Sequence, residues 1–285
     1  DTGAPMFDSP FHDLSGFLSP TVMQAYVVLM FLAVVAGTII DTIHKKSAQY
    51  FFENAQKAQK AAKRTVGAGE KASLAISTLA NEVLTSSEFA NPKRRQSHLL
   101  TMYGFIFFVV TTVMMIFGYP MPGEAVPGLV VALWHIGALM VCVGGYWFWF
   151  FIRCDVNSEG KLWYHLVRAD MFILSLLITT TFALLWSVTR GAGALNILFF
   201  LIFISASTFL FTTVLWSKFA HMFFKPAAAY QKKITKADGS QENLPDVGDM
   251  DDPEVQARYP DIPMYMGDKP AYMGLGIKRE SPNHY

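Results

Sequence analysis

Three histidines stand at one end of three apolar stretches, and an imidazole at a fixed membrane depth can ligate iron. His98 follows Lys93, Arg94 and Arg95 and opens one stretch; His165 opens another; His221 closes a third, just before Lys225 and Pro226. Two neutral imidazoles, one per helix at one level, are the axial ligands of a haem b held in a helical bundle. Three candidates allow three pairings, and spacing alone does not choose between them. Arg94, Arg95, Arg168 and Lys218 lie at the same end, where they would meet haem propionates or serve simply as basic anchors. His44, beside Lys45 and Lys46, reads as interfacial, and His12 and His284 in the terminal segments read as solvated. His135 alone lies near the opposite end.

A second chemistry is that of a quinone, which needs an apolar slot, a hydrogen-bonding group for each carbonyl and a proton route. Two places offer this. The start of the fourth stretch has Trp163, Tyr164, His165, Arg168 and Asp170, where ionisable groups inside a span mark either function or a rim salt bridge. The far end of the third has Trp134 and His135, which read equally as an aromatic belt. The first is preferred, because a quinone close to a haem at that end needs no further relay. No nucleophile–base constellation, P-loop, GxGxxG fingerprint or clustered Cys/His motif occurs, so the chemistry would belong to a cofactor. Cys142 and Cys154 form neither a CxxC site nor a disulfide framework and read as packing residues.

The elements that must position these groups are membrane helices. Only 16% of the 285 residues are charged, against about a quarter in soluble domains, and mean hydropathy is +0.31. A net charge of +1 argues against nucleic acid as a partner. Five stretches can each cross a core of about 30 Å as helix: 21–43, 97–118, 128–152, 162–188 and 194–224. The fold class is therefore an all-α integral membrane protein, a five-helix bundle. Lys and Arg crowd the segments between spans one and two, three and four, and after span five, which predicts N-out, C-in topology. Residues 1–20 form an external segment with no signal-peptide pattern, so span one would direct insertion. No span has the Gly/Pro-broken centre of a transporter site.

Two segments lie outside the bilayer. Residues 44–96 read as a cytoplasmic helical insertion broken at Gly67 and Gly69, with an apolar stripe of Leu74, Ile76, Leu79, Val83 and Leu84. It would pack on the span ends or dock a partner. The tail, 225–285, carries an acidic patch and Pro-spaced Tyr259, Tyr265, Tyr272 and Tyr285, a pattern suited to an extended strap on a soluble subunit.

The block Arg94-Arg95-Gln96-Ser97-His98-Leu99-Leu100-Thr101-Met102-Tyr103-Gly104-Phe105 resembles the second-helix motif of five-helix cytochrome b subunits, among them the nitrate-reductase gamma and heterodisulfide-reductase-like families. Trp216-Ser217-Lys218-Phe219-Ala220-His221 resembles their fifth-helix end, where a Pro-Phe-Ser-Lys-x-x-His pattern recurs. The resemblance covers about 94–226 and implies that His98 and His221 ligate the haem nearer the cytoplasm. The further histidines of the two-haem pattern are missing from 105–116 and 195–205, which implies one haem b or none. The long insertion and the block Tyr265-Met266-Gly267-Asp268-Lys269-Pro270-Ala271-Tyr272-Met273-Gly274 narrow the resemblance to the membrane-anchor family of dissimilatory adenylylsulfate reductases. That family implies a bacterial inner-membrane subunit passing electrons between a cytoplasmic iron–sulfur/flavin oxidoreductase and the quinone pool. The alternative is a haem-free membrane anchor for the soluble enzyme.

Overall fold

The computed structural model describes residues 9–44, 47–86, 91–153, 162–214, 221–240 and 253–258. Among them every regular element is helical, and five helices are long and apolar enough to cross a membrane: Pro20–His44, Pro92–Gly118, Gly128–Ile152, Arg168–Val188 and Ala194–Thr212. The chain is thus an all-α, multi-pass membrane protein, since a segment in hydrocarbon must satisfy its own backbone groups. It divides into two compact units, Asp1–Lys46 with Pro92–Phe224 and Ser47–Asn91 with Lys225–Asn283.

The first unit is the span bundle: α1 (Pro20–His44), α4 (Pro92–Val113), α5 (Gly128–Trp147), α6 (Met171–Val188) and α7 (Ala194–Thr212). Widened π turns, Met114–Gly118 and Phe148–Ile152, extend α4 and α5. The tightest pairing is α4 on α5, and its cause is the absence of side chains. A Cβ on Gly104 would lie 2.7 Å from the Gly137 carbonyl oxygen, one on Gly137 would lie 2.7 Å from Phe108 N, and one on Gly144 would lie 2.7 Å from the Ser97 carbonyl oxygen. Small residues let backbones meet where lipid gives no hydrophobic drive to associate. The Ser97 hydroxyl donates to the Gly144 carbonyl at 2.8 Å and locks the register.

The interior differs at its two ends. At the end where α4 finishes and α5 begins, the core is rings: Phe11, Phe108, Trp134, Trp186, Phe200 and Phe203, all at most 6% exposed. Phe11 meets Trp134 and Trp186 edge-on at centroid distances of 5.9 and 5.4 Å, a preferred aromatic geometry. Phe11 comes from a 3-10 turn, Pro10–Gly16, capped by the Ser9 hydroxyl accepting from Phe11 N. The terminal segment expected to be external is therefore in part a plug. The other end, where Lys93, Arg94 and Arg95 lie, is termed the basic end; the core toward it is aliphatic, with Val141, Leu176, Leu210 and Val214. At the N-terminal side of α1, Gln24 donates to Ile116 O; Tyr26 bonds Thr208, and Gly37 meets Val214, so α1 and α7 run parallel.

The second unit holds α2 (Ser47–Ala61), α3 (Ala68–Thr78), most of α8 (His221–Ala237) and α9 (Pro253–Arg258). The expected helix break is present, with Gly67 the N-cap of α3, whereas Gly69 lies inside the helix. The link before α3 is held to the end of α8: Lys63 N and Arg64 N donate to the Asp238 carbonyl at 2.9 and 3.2 Å. Arg64 also donates to Ala237 O at 2.6 Å and holds both Glu70 carboxylate oxygens. That hydrogen bond holds the Glu70 carboxyl below its ordinary pKa and raises that of Arg64. Of the expected stripe, Ile76, Leu79 and Leu84 remain exposed.

Span boundaries differ from expectation by more than one residue at three ends. The second span begins at Pro92, five residues early, because proline suits a first helical turn. The fourth begins at a 3-10 turn, Arg168–Asp170, six residues late, because the Asp170 carboxylate accepts from Val167 N and starts the helix there. The fifth ends at Thr212, where Thr212 and Thr213 hydroxyls donate back to Thr208 O and Phe209 O.

Candidate functional site

The site at the basic end of the bundle is built on α4. Ser97 is 1% exposed and clamped to α5, which fixes the rotation of the helix. One residue on is about 100° round the helix, so His98 is turned outward and is exposed. Arg94 and Arg95, half-buried, stand four and three residues earlier and so share one face with His98. An imidazole with two guanidinium groups a turn away suits one axial position of a haem b and its propionates, so this half of the expected donor set fits the group. His221 is the first residue of α8 rather than the last turn of span five. Lys218 and the tail residues Tyr259, Tyr265, Tyr272 and Tyr285 lie outside the described residues.

The start of α6 holds an ion pair that the sequence did not disclose. Asp170 is 7% exposed, and Arg153, across the α5–α6 loop, grips it with two nitrogens, Nε at 2.8 Å and Nη2. Nη2 also donates to the His165 carbonyl at 2.6 Å, and the guanidinium carbon lies 4.2 Å from the centroid of the Trp149 ring. A buried carboxylate thus has its charge matched and three donors supplied, as burial of a charge requires. Of the expected quinone-binding residues here, Asp170 is engaged in this pair, while Arg168 and His165 are exposed; the His165 ring lies edge-on to Tyr164 at 4.8 Å. Arg153 was legible only as a basic residue flanking a span. The signal that could have found the pair is that it closes two successive spans at one depth.

At the opposite end, Trp134 is fully buried and donates through its indole N–H to Thr112 at 2.9 Å. His135 Nδ1 lies 2.8 Å from Val131 O and Nε2 lies 2.7 Å from the Ser187 hydroxyl. A carbonyl only accepts, so this geometry assigns the proton to Nδ1 and has Nε2 accept from Ser187. Both ring nitrogens are thereby engaged, Nδ1 within α5 and Nε2 in joining α5 to α6. His12 is half-buried, with Nε2 3.2 Å from Tyr119 O, which corrects the expectation of a solvated residue. His284 lies outside the described residues.

Two further features were missed. Asp41, in the last turn of α1, is 4% exposed. A carboxylate inside an apolar helix was itself the signal. Between α1 and α4 lies a cavity of about 530 Å³, walled by α1, α4, α6 and α7 and by the 3-10 plug. No sequence pattern marks a space between helices. Compared with protein-family models, with curated proteins and with solved structures, the chain matches none.

Proposed function

We propose that this chain is the membrane subunit of an electron-transfer complex, carrying electrons between a cytoplasmic iron–sulfur/flavin oxidoreductase, of the adenylylsulfate reductase class, and the quinone pool of a bacterial inner membrane. The observation that carries the reading is the outward-turned His98, backed by Arg94 and Arg95 on one face at the basic end of a five-span bundle. A haem b bound there would supply one-electron transfer, held by His98 and His221, with Arg94, Arg95 and Lys218 near its propionates. The chain's own part is to place those groups: the Ser97–Gly144 bond sets the azimuth at which α4 presents His98. The positive-inside pattern supports placing that end in the cytoplasm. There the α2–α3 segment and the tail with Tyr259, Tyr265, Tyr272 and Tyr285 would hold the soluble enzyme.

Haem content of the purified protein tests this. The reading predicts a b-type haem, bound about one per chain and lost in His98→Ala and in His221→Ala but retained in His165→Ala. A protein free of haem that still retains a soluble partner would establish the anchor alternative, and removal of the tail after Lys236 with the partner still bound would remove its role as a strap.

A further inference from the structure

The cavity between α1 and α4 has the size, walls and polarity of a binding site for a membrane-soluble molecule. Its volume of about 530 Å³ falls within the range of small-molecule sites, about 300–1,000 Å³. Along α1 it is walled from Val22 to Val34, a helical rise of about 18 Å at 1.5 Å per residue. The slot is therefore long, as a hydrocarbon tail is long. Phe105, Phe108 and Phe203 face it from α4 and α7. Its walls are so apolar that water would find too few partners there.

Four hydroxyl-bearing residues, Tyr26, Thr112, Thr179 and Ser207, are among its walls, and one of them is buried without a partner. Thr179 lines the cavity, is 2% exposed, and its hydroxyl has no hydrogen-bond partner. The neighbouring Tyr26 hydroxyl is by contrast already bonded to Thr208 at 3.0 Å. A buried hydroxyl left unpaired is destabilising and calls for an explanation. Thr179 is the ninth residue of the eighteen in α6, so the orphan stands near mid-span. Phospholipid carbonyls stay at the interface and do not reach that depth. A lipid whose head is uncharged, planar and an acceptor of hydrogen bonds can.

We propose that this slot binds an isoprenoid quinone, with one head carbonyl accepting from Thr179, the ring against the phenylalanines and the tail along α1. The inference rests on the electron-transfer reading for its biological sense, but not for its test. It places the quinone between α1, α4, α6 and α7, away from both positions that the sequence offered.

The test is binding, followed by quenching of intrinsic tryptophan fluorescence. The full chain is reconstituted in phosphatidylcholine nanodiscs and titrated with a decyl-tailed quinone. Thr179→Val, equal in shape but without the hydroxyl, is expected to weaken binding about fivefold to tenfold, the worth of one hydrogen bond. Thr179→Ser is expected to bind like the parent, and Val109→Trp, which fills the slot, to abolish binding. The inference is overturned by equal affinity of the parent and Thr179→Val, by no quenching in the parent, or by equal competition from a decyl chain lacking the quinone head, which would make the slot an acyl-chain groove. Haem content is measured on the same samples. A haem-containing protein indifferent to Thr179 would defeat this site and leave the electron-transfer reading standing. A haem-free protein that binds quinone through Thr179 would do the reverse.

Discussion

Removing either member of the Arg153–Asp170 pair should destabilise the bundle far more than removing both. Asp170→Ala leaves a guanidinium whose side chain is only 8% exposed without the Asp170 carboxylate, and Arg153→Ala leaves a carboxylate at 10%. The structure gives each substitution several losses at once. Asp170 accepts two bonds from Arg153 and one, at 2.9 Å, from Val167 N. Arg153 additionally holds the His165 carbonyl and stacks on Trp149. Breaking a buried pair from one side costs about 3–5 kcal/mol, whereas replacing both with apolar groups of like volume is often near neutral. Arg153→Met with Asp170→Leu should therefore recover most of the loss, and a cycle built from Arg153→Met, Asp170→Leu and the pair should return a coupling close to the sum of the two single losses, about 6–10 kcal/mol. The assay is the midpoint of denaturation in lipid nanodiscs, with the parent, both singles and the double compared at one lipid composition. Additive losses, or singles indistinguishable from the parent, would refute the view that two desolvated charges hold this loop.

Gly137→Ala must push α4 from α5, because its Cβ would stand 2.7 Å from Phe108 N and 2.8 Å from Gly104 O. The expected loss is about 1–3 kcal/mol, read as a lower denaturation midpoint. Trp134→Ala removes the centre of the ring cluster, meeting Phe11 and Phe108, and should cost about 3–5 kcal/mol in the same assay. In the second unit, Glu70 has a lowered pKa because of the hydrogen bond from Arg64. A depressed carboxylate stabilises the fold above its unfolded pKa of about 4.3, and that contribution is lost as pH falls through the lower folded value. Glu70→Gln should thus narrow the stability difference between neutral and acid pH, measured by hydrogen exchange of α3 amides; an unchanged acid response would contradict the pairing.

The spans were legible because lipid imposes one rule, a sustained apolar run, and the run 128–152 was read with the bounds the structure shows. The start of α6 was not, because 162–167 has the composition of a span, while the carboxylate that starts the helix acts through Val167 N. Composition also runs apolar past Thr212, where the helix ends, so hydropathy alone placed that end too late. At the candidate site, His98 with its arginines was legible because residues three and four apart share a helix face. The Arg153–Asp170 pair and the Thr179 slot were not, since both join residues far apart in sequence. Phe11 was missed for the same reason: an apolar residue in a terminal segment declares itself a plug only when Trp134 and Trp186 are seen beside it.

The central claim is that electrons pass through this chain between quinone and haem at the basic end. The most direct measurement is a reduced-minus-oxidised absorption spectrum of the protein in nanodiscs after adding a quinol. The expected result is a b-type α-band that develops with quinol alone and is lost in both His98→Ala and His221→Ala. A band that forms with dithionite but never with quinol, or a spectrum without a haem band at all, would contradict it.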